Sequence, residues 1–160
     1  MPRVLAVCGL LALSGSLSAG DVAALVTRAE NTPRKNEESQ PPRCVRDQAG
    51  EVVALNLDAV VLKPGDVADV ATCGKLELLS LIGTNVTDDQ LKLLVGLKNL
   101  RSLRLNQTAV TDAGLKHLGQ MKSLKYLCLG GVDATPEGVK QLKRDLPGLQ
   151  LGYSRRPPKD

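Results

Sequence analysis

His117 is the only histidine in the 160-residue chain, and it falls between Leu115 and Leu118. A nucleophile–base–acid triad would have to run through it, and nothing places a serine or an acid beside it. A solvated place on an outward helix face is the expectation for that ring. Asp88 and Asp89 are the adjacent carboxylates that acid–base work would want. They directly follow Thr87, however, at a helix start where the backbone dipole already favours negative charge. Metal chemistry needs clustered ligands, whereas Cys44, Cys73 and Cys128 lie 29 and 55 residues apart. No phosphate-cradling or dinucleotide glycine pattern is present. The expectation is a chain with no catalytic residues, no metal site and no cofactor.

The first twenty residues read as a secretory signal, with Arg3 as the positive start, Val4 to Leu13 as the apolar run and Ser16 to Gly20 as small residues for cleavage near Ala19 or Gly20. An uncleaved anchor is the alternative, but the run is shorter than the roughly 20 residues a spanning helix needs. No other segment has the character of a membrane span. The expected location is therefore secreted or periplasmic, with no integral span after signal removal. Losing Arg3 lowers the formal charge from +4 to +3, and the basic residues from Lys92 to Arg144 are interspersed with acids. With no Phe, no Trp and two Tyr, stacking platforms are nearly absent, so nucleic acid is not an expected partner.

What must position the remaining residues is a repeat. Leu76, Leu100 and Leu124 are 24 residues apart, as are Leu79, Leu103 and Leu127, and Leu81, Leu105 and Leu129. One period upstream stand Val52, Leu55 and Leu57, and the second half of each unit keeps step through Leu62, Val86, Val110 and Ala134. Within a unit, Leu79-Ser80-Leu81 and Leu103-Arg104-Leu105 alternate as a short strand does. Leu91 with Leu94, and Leu115 with Leu118, share one face of a short helix. Thr87 with Gln90 makes a capping box before that helix, Thr111 holds the same place one unit on, and Pro64 and Pro136 are expected at first helical positions.

A strand, a turn and a short helix per 24 residues cannot bury their own apolar edge, so neighbouring units must stack and share one core. The fold class expected is α/β, a short solenoid of about four units with a parallel concave sheet and helices on the convex side. The unit Leu100 to Ser123, LRSLRLNQTAVTDAGLKHLGQMKS, resembles the bacterial, planctomycete-type leucine-rich repeats of pattern LxxLxLxxTxVTDxGLxxL. The resemblance covers about residues 50 to 152 and implies a leucine-rich-repeat solenoid serving as a recognition scaffold. Thr84 and Thr108 stand at its ladder position, where their hydroxyls are expected to hold the strand-to-helix turn. The organisation read from the chain is a signal at 1–20, a short helix and flexible linker at 21–42, a capping strand or hairpin at 43–51, the repeat domain at 52–152 and a disordered tail at 153–160.

Strand residues between the buried leucines must face the concave side. They form three columns: Ala54, Leu78, Ser102 and Tyr126; Asn56, Ser80, Arg104 and Cys128; Asp58, Ile82, Asn106 and Gly130. Leu78, Ile82, Arg104 and Tyr126 make up the candidate partner-binding patch, because aromatic and guanidinium groups are the usual interface anchors. Function is expected to be non-enzymatic: an interaction module whose concave face binds an unidentified protein partner. The alternative is a structural, envelope-associated protein adhering to anionic surfaces through basic helices and tail. Three cysteines outside the signal are an odd number. A Cys44–Cys73 disulfide pinning the cap is one option, and a solvent-facing Cys128 linking two chains into a disulfide-bonded dimer is another.

Overall fold

The computed structural model describes residues 19–30 and 43–156. Positions 1–18 of the segment read as a signal, and positions 31–42 and 157–160 of those read as linker and tail, lie outside the described residues. The elements run α1 (Ala19–Glu30), β1 (Arg43–Arg46), β2 (Val52–Asn56), α2 (Asp66–Ala71), β3 (Leu78–Ser80), α3 (Asp88–Leu94), β4 (Ser102–Arg104), α4 (Asp112–Leu118), β5 (Tyr126–Val132), α5 (Pro136–Asp145) and β6 (Gln150–Arg155). The strands form one six-stranded sheet in chain order. β1 and β2 are an antiparallel hairpin, and every later neighbour pair is parallel. Parallel neighbours require a crossover, and each short helix supplies one; consecutive helices pack against each other in chain order behind the sheet.

Register follows the 24-residue period. Leu55, Leu79, Leu103, Leu127 and Leu151 are successive partners across the sheet. The first four are buried, as are Leu57, Leu81, Leu105 and Leu129 in the next core column. Leu91, Leu94, Leu115 and Leu118 close the layer from the helical side. At about 25 cal/mol per Å² of apolar surface removed from water, such columns are the main source of stability, and each layer is dry only because its neighbour covers it.

A left-handed residue recurs four times, in the turns after β2, β3 and β4 and at an irregularity inside β5. Ala59, Gly83, Gln107 and Gly131, also 24 apart, all have left-handed backbone, with φ of 60, 67, 59 and 69°. The amides of Ala59, Gly83 and Gln107 donate to the carbonyls of Ile82, Asn106 and Gly130 one unit on, at 2.7, 2.8 and 2.6 Å, so the ladder continues past the strand ends. The Thr84 and Thr108 hydroxyls then donate to the Leu81 and Leu105 carbonyls at 2.8 and 2.7 Å, holding the turn.

Three features depart from the sequence reading. Pro64 is not the first helical residue: Gly65, with φ of 100°, is the N-cap of α2, whereas Pro136 does open α5 behind Thr135. A glycine that can take positive φ turns the chain there, moving the helix start beyond the proline. Second, the final short strand expected from Leu149 and Leu151 runs further, as β6 over Gln150–Arg155, so that Tyr153 pairs with Leu129 as Leu151 does with Leu127. Third, residues 153–156 of the expected disordered tail belong to the fold, Tyr153 to Arg155 in β6 and Arg156 directly after it. The Arg156 guanidinium donates to the carbonyls of Thr108 at 2.7 Å and Gly131 at 3.1 Å and pairs with Asp133 at 3.0 Å, while the Tyr153 hydroxyl donates to the Ala134 carbonyl at 2.8 Å. Loop carbonyls left exposed by the last turns are what these side chains satisfy.

At the other end, α1 packs against α2. Val22, Leu25 and Val26 enter the common core, and Arg28 forms an ion pair with buried Asp66. Together with the β1–β2 hairpin, α1 covers the face that the first unit would otherwise expose. None of the described helices is long and apolar enough to cross a membrane.

Candidate functional site

The concave surface is set by alternation. Because Leu55, Leu79, Leu103 and Leu127 point into the core, the residues on either side of each point the other way. Pairing places Val45, Ala54, Leu78, Ser102, Tyr126 and Gln150 in one row across the sheet, and Arg43, Asn56, Ser80, Arg104, Cys128 and Gly152 in the next. Leu78 and Tyr126 of the expected patch therefore share a row, on β3 and β5, and Arg104 stands between them in the adjacent row, on β4. Ile82 is different: it lies in the turn beyond β3, half-buried, at the margin of this surface.

Sequence reasoning missed Val45 and Arg43. It placed Cys44 in a capping strand without carrying the alternation through to its neighbours, although Cys44 pairing with core Leu55 puts residues 43 and 45 on the concave side. Val45 is 51% exposed, Leu78 38% and Tyr126 50%, and these are three of the five large hydrophobic side chains exposed among the described residues. Arg43 and Arg104 are exposed beside them. On the flank, Glu77 and Arg101 lie 4.0 Å apart as a loose surface pair.

Other expected concave residues serve the fold. Ser80 is buried and donates through its hydroxyl to Asp58 at 2.6 Å, and the same carboxylate oxygen accepts from the Ile82 amide at 3.0 Å. Asn106 accepts from the Gly130 amide at 3.0 Å, so Asp58 and Asn106 tie one unit to the next. Asp88 likewise ties its unit to the next: its carboxylate accepts from the Thr111 amide at 2.9 Å and hydroxyl at 2.6 Å.

Cys128 stands on the concave side, as expected, but is only partly exposed. The thiol is half-buried because the sheet does not end at β5: β6 runs alongside, and Gly152 is its register partner. No disulfide is present among the described residues. Cys44 and Cys73 both belong to the core at the capped end. Burial, and then the nearby Cys44, push the Cys73 thiol above its ordinary range. Among the described residues there is no cluster of three His, Cys, Asp or Glu side chains able to hold a metal ion.

No protein-family model matches this chain, and no curated protein sequence matches it. Its backbone is similar to that of solved leucine-rich-repeat structures. A leucine-rich-repeat protein of Leptospira interrogans overlays 63% of the chain with a TM-score of 0.50 and 21% identity. An internalin from Listeria monocytogenes overlays 70% (TM-score 0.46, 15% identity), and the leucine-rich-repeat ectodomain of a plant membrane receptor kinase from Arabidopsis thaliana, solved in complex with Casparian strip integrity factor 2, overlays 82% (0.48, 17%). The chain spans 25%, 39% and 20% of the length of those three proteins. The likeness to the Leptospira protein, at 21% identity, shows the fold alone, and with the 24-residue register of the parallel sheet that fold is a leucine-rich-repeat solenoid.

Proposed function

We propose that this leucine-rich-repeat solenoid is a non-enzymatic interaction module that binds a protein partner on its concave face, outside the cytoplasm. The observation that carries the reading is the register row of Val45, Leu78 and Tyr126, which gathers most of the exposed large hydrophobic side chains on one wall, beside Arg43 and Arg104. Exposed apolar groups scattered singly need no explanation, whereas aligned ones beside guanidinium groups have the make-up of an interface centre. Export rests on the signal-like residues 1–20, and the bacterial, planctomycete-type class on the unit Leu100 to Ser123, which carries the TDxGL pattern as Thr111 to Leu115.

The test is affinity capture from an envelope fraction with the wild-type chain and with Arg104→Ala/Tyr126→Ala side by side. A partner retained by the wild type and lost by the double variant, with unchanged thermal unfolding, is the expected result. Equal retention by both chains would refute the concave-face assignment.

A further inference from the structure

Resting on that concave-face reading, we propose that the face takes an extended partner segment of polyproline-II conformation, with apolar residues at i, i+3 and i+6 and carboxylates at i+1 and i+4. From β1 to β5 the first row of the concave wall alternates in size: Val45, Ala54, Leu78, Ser102, Tyr126; Gln150 on β6 ends the alternation. Large side chains stand on β1, β3 and β5, and small ones between them leave a gap on each intervening strand. Neighbouring strands are about 4.8 Å apart, so the large groups recur about every 9.6 Å across the sheet.

That interval selects the conformation of a chain laid across the strands. A polyproline-II segment returns the same face every three residues, about 9.3 Å. A β-strand presents one face every two residues, about 6.8 Å, and loses register with the row at the first step. An α-helix returns after seven residues, about 10.5 Å, and overshoots by about 2 Å over the full row.

Charge supplies the second half of the pattern. Arg43 on β1 and Arg104 on β4 flank the apolar row on the same side, about 14 Å apart by strand spacing. In a threefold helix, positions i+1 and i+4 lie on one flank, about 3 and 12 Å along from the residue seated at Val45. Both fall within reach of a long guanidinium side chain. Of the acids near this wall, Asp58 is engaged by Ser80 and Ile82, and Glu77 lies beside Arg101, so the arginines meet a partner that brings its own carboxylates.

The experiment uses two labelled peptides of one composition: Leu-Glu-Pro-Leu-Glu-Pro-Leu, with period three, and Leu-Glu-Leu-Glu-Leu-Pro-Pro, with period two. Fluorescence polarisation with the full chain is expected to show saturable binding of the first, at least about tenfold tighter than the second, and about tenfold weakened by Arg104→Glu or Tyr126→Ala. Circular dichroism checks that both variants remain folded. Equal affinity for the two peptides, or no saturable binding of either, overturns the polyproline-II assignment. If the peptides fail while Arg104→Ala/Tyr126→Ala still loses its captured protein, the interaction module stands and only this inference falls. If capture is unaffected as well, both fall.

Discussion

The carboxylate of Asp88 occupies the space that a Cβ on Gly114 would need, one repeat further along the chain. It is held there by the Thr111 amide and hydroxyl. Asp112 stands in the same relation to Gly138, held by Thr135 at 2.7 Å from both amide and hydroxyl. A helical glycine exchanged for alanine ordinarily gains about 1 kcal/mol. Here Gly114→Ala is expected to lose about 1 to 3 kcal/mol through overpacking against Asp88. Urea unfolding checks the sign. In an Asp88→Ala background the loss is expected to shrink to what Leu91 and Val110, whose side-chain carbons lie 3.0 Å from the added carbon, impose, and a loss undiminished there would show that Asp88 is not the obstacle.

This relationship also shows what was legible in the residues. Positions 64, 88, 112 and 136 read Pro, Asp, Asp, Pro, and positions 66, 90, 114 and 138 read Asp, Gln, Gly, Gly. Glycine appears only where the preceding unit supplies the aspartate, so the coupling is written in the sequence once the period is known. The core columns were legible for the same reason: hydrophobic period and register coincide. Ser80, Asp58 and Asn106 were less so, because an exposed-looking polar residue and a ladder residue have the same one-letter identity. Arg156 was not legible at all, since three hydrogen bonds to distant loops leave no local pattern.

The left-handed turn position offers a second test. Gly83 and Gly131 adopt positive φ without cost, whereas Gln107 carries a Cβ in a conformation that costs L residues about 1 to 2 kcal/mol. Gln107→Gly is expected to raise stability by about 0.5 to 1 kcal/mol, after the greater freedom of glycine in the unfolded chain is counted. Gly83→Ala should lose about 1 kcal/mol, although no atom lies closer than 3.9 Å to the added carbon. Chemical denaturation of the two variants together separates backbone strain from packing; opposite signs are expected.

Arg156 joins the Thr108 and Gly131 loops and Asp133. Charge-assisted hydrogen bonds contribute about 1.5 to 3 kcal/mol when their acceptors are left unsatisfied on removal, and this residue is half-buried. Arg156→Ala is therefore expected to destabilise by about 1 to 3 kcal/mol and to speed amide exchange at Arg155 and Arg156 before the core strands. Exchange rates equal to wild type at those positions would mean that the final strand is held by its ladder alone.

Burial, with Cys44 nearby, raises the pKa of Cys73 above its ordinary 9.0. The folded state then keeps its proton to higher pH than the unfolded chain does. The stability this contributes is fully present below about pH 9 and is lost as pH rises through the raised value. Cys73→Val removes the ionisation at a position where later units carry Leu97 and Met121. The variant should lose less stability than wild type between pH 8.5 and pH 10.5, roughly the window in which a thiol titrates. At pH 8, iodoacetamide should label Cys128 before Cys73; the reverse order would contradict the burial argument.

Leu78 and Leu79 are adjacent in the chain and opposite in duty, which gives the interaction reading its sharpest contrast. Leu79 is fully buried and shares its column with Leu55 and Leu103, so Leu79→Ala is expected to cost about 2 to 5 kcal/mol. Leu78 faces the open wall, so Leu78→Ala should shift stability by no more than about 0.5 kcal/mol while weakening partner binding. Raising salt adds the second arm. Adhesion through the exposed Lys140, Lys143 and Arg144 of α5 would disappear as the Debye length shrinks to about 3 Å at 1 M, whereas a site anchored by Leu78 and Tyr126 keeps most of its affinity. Binding that vanishes with salt and ignores Leu78→Ala would assign the contact to the basic convex helices and leave the concave row as ordinary surface.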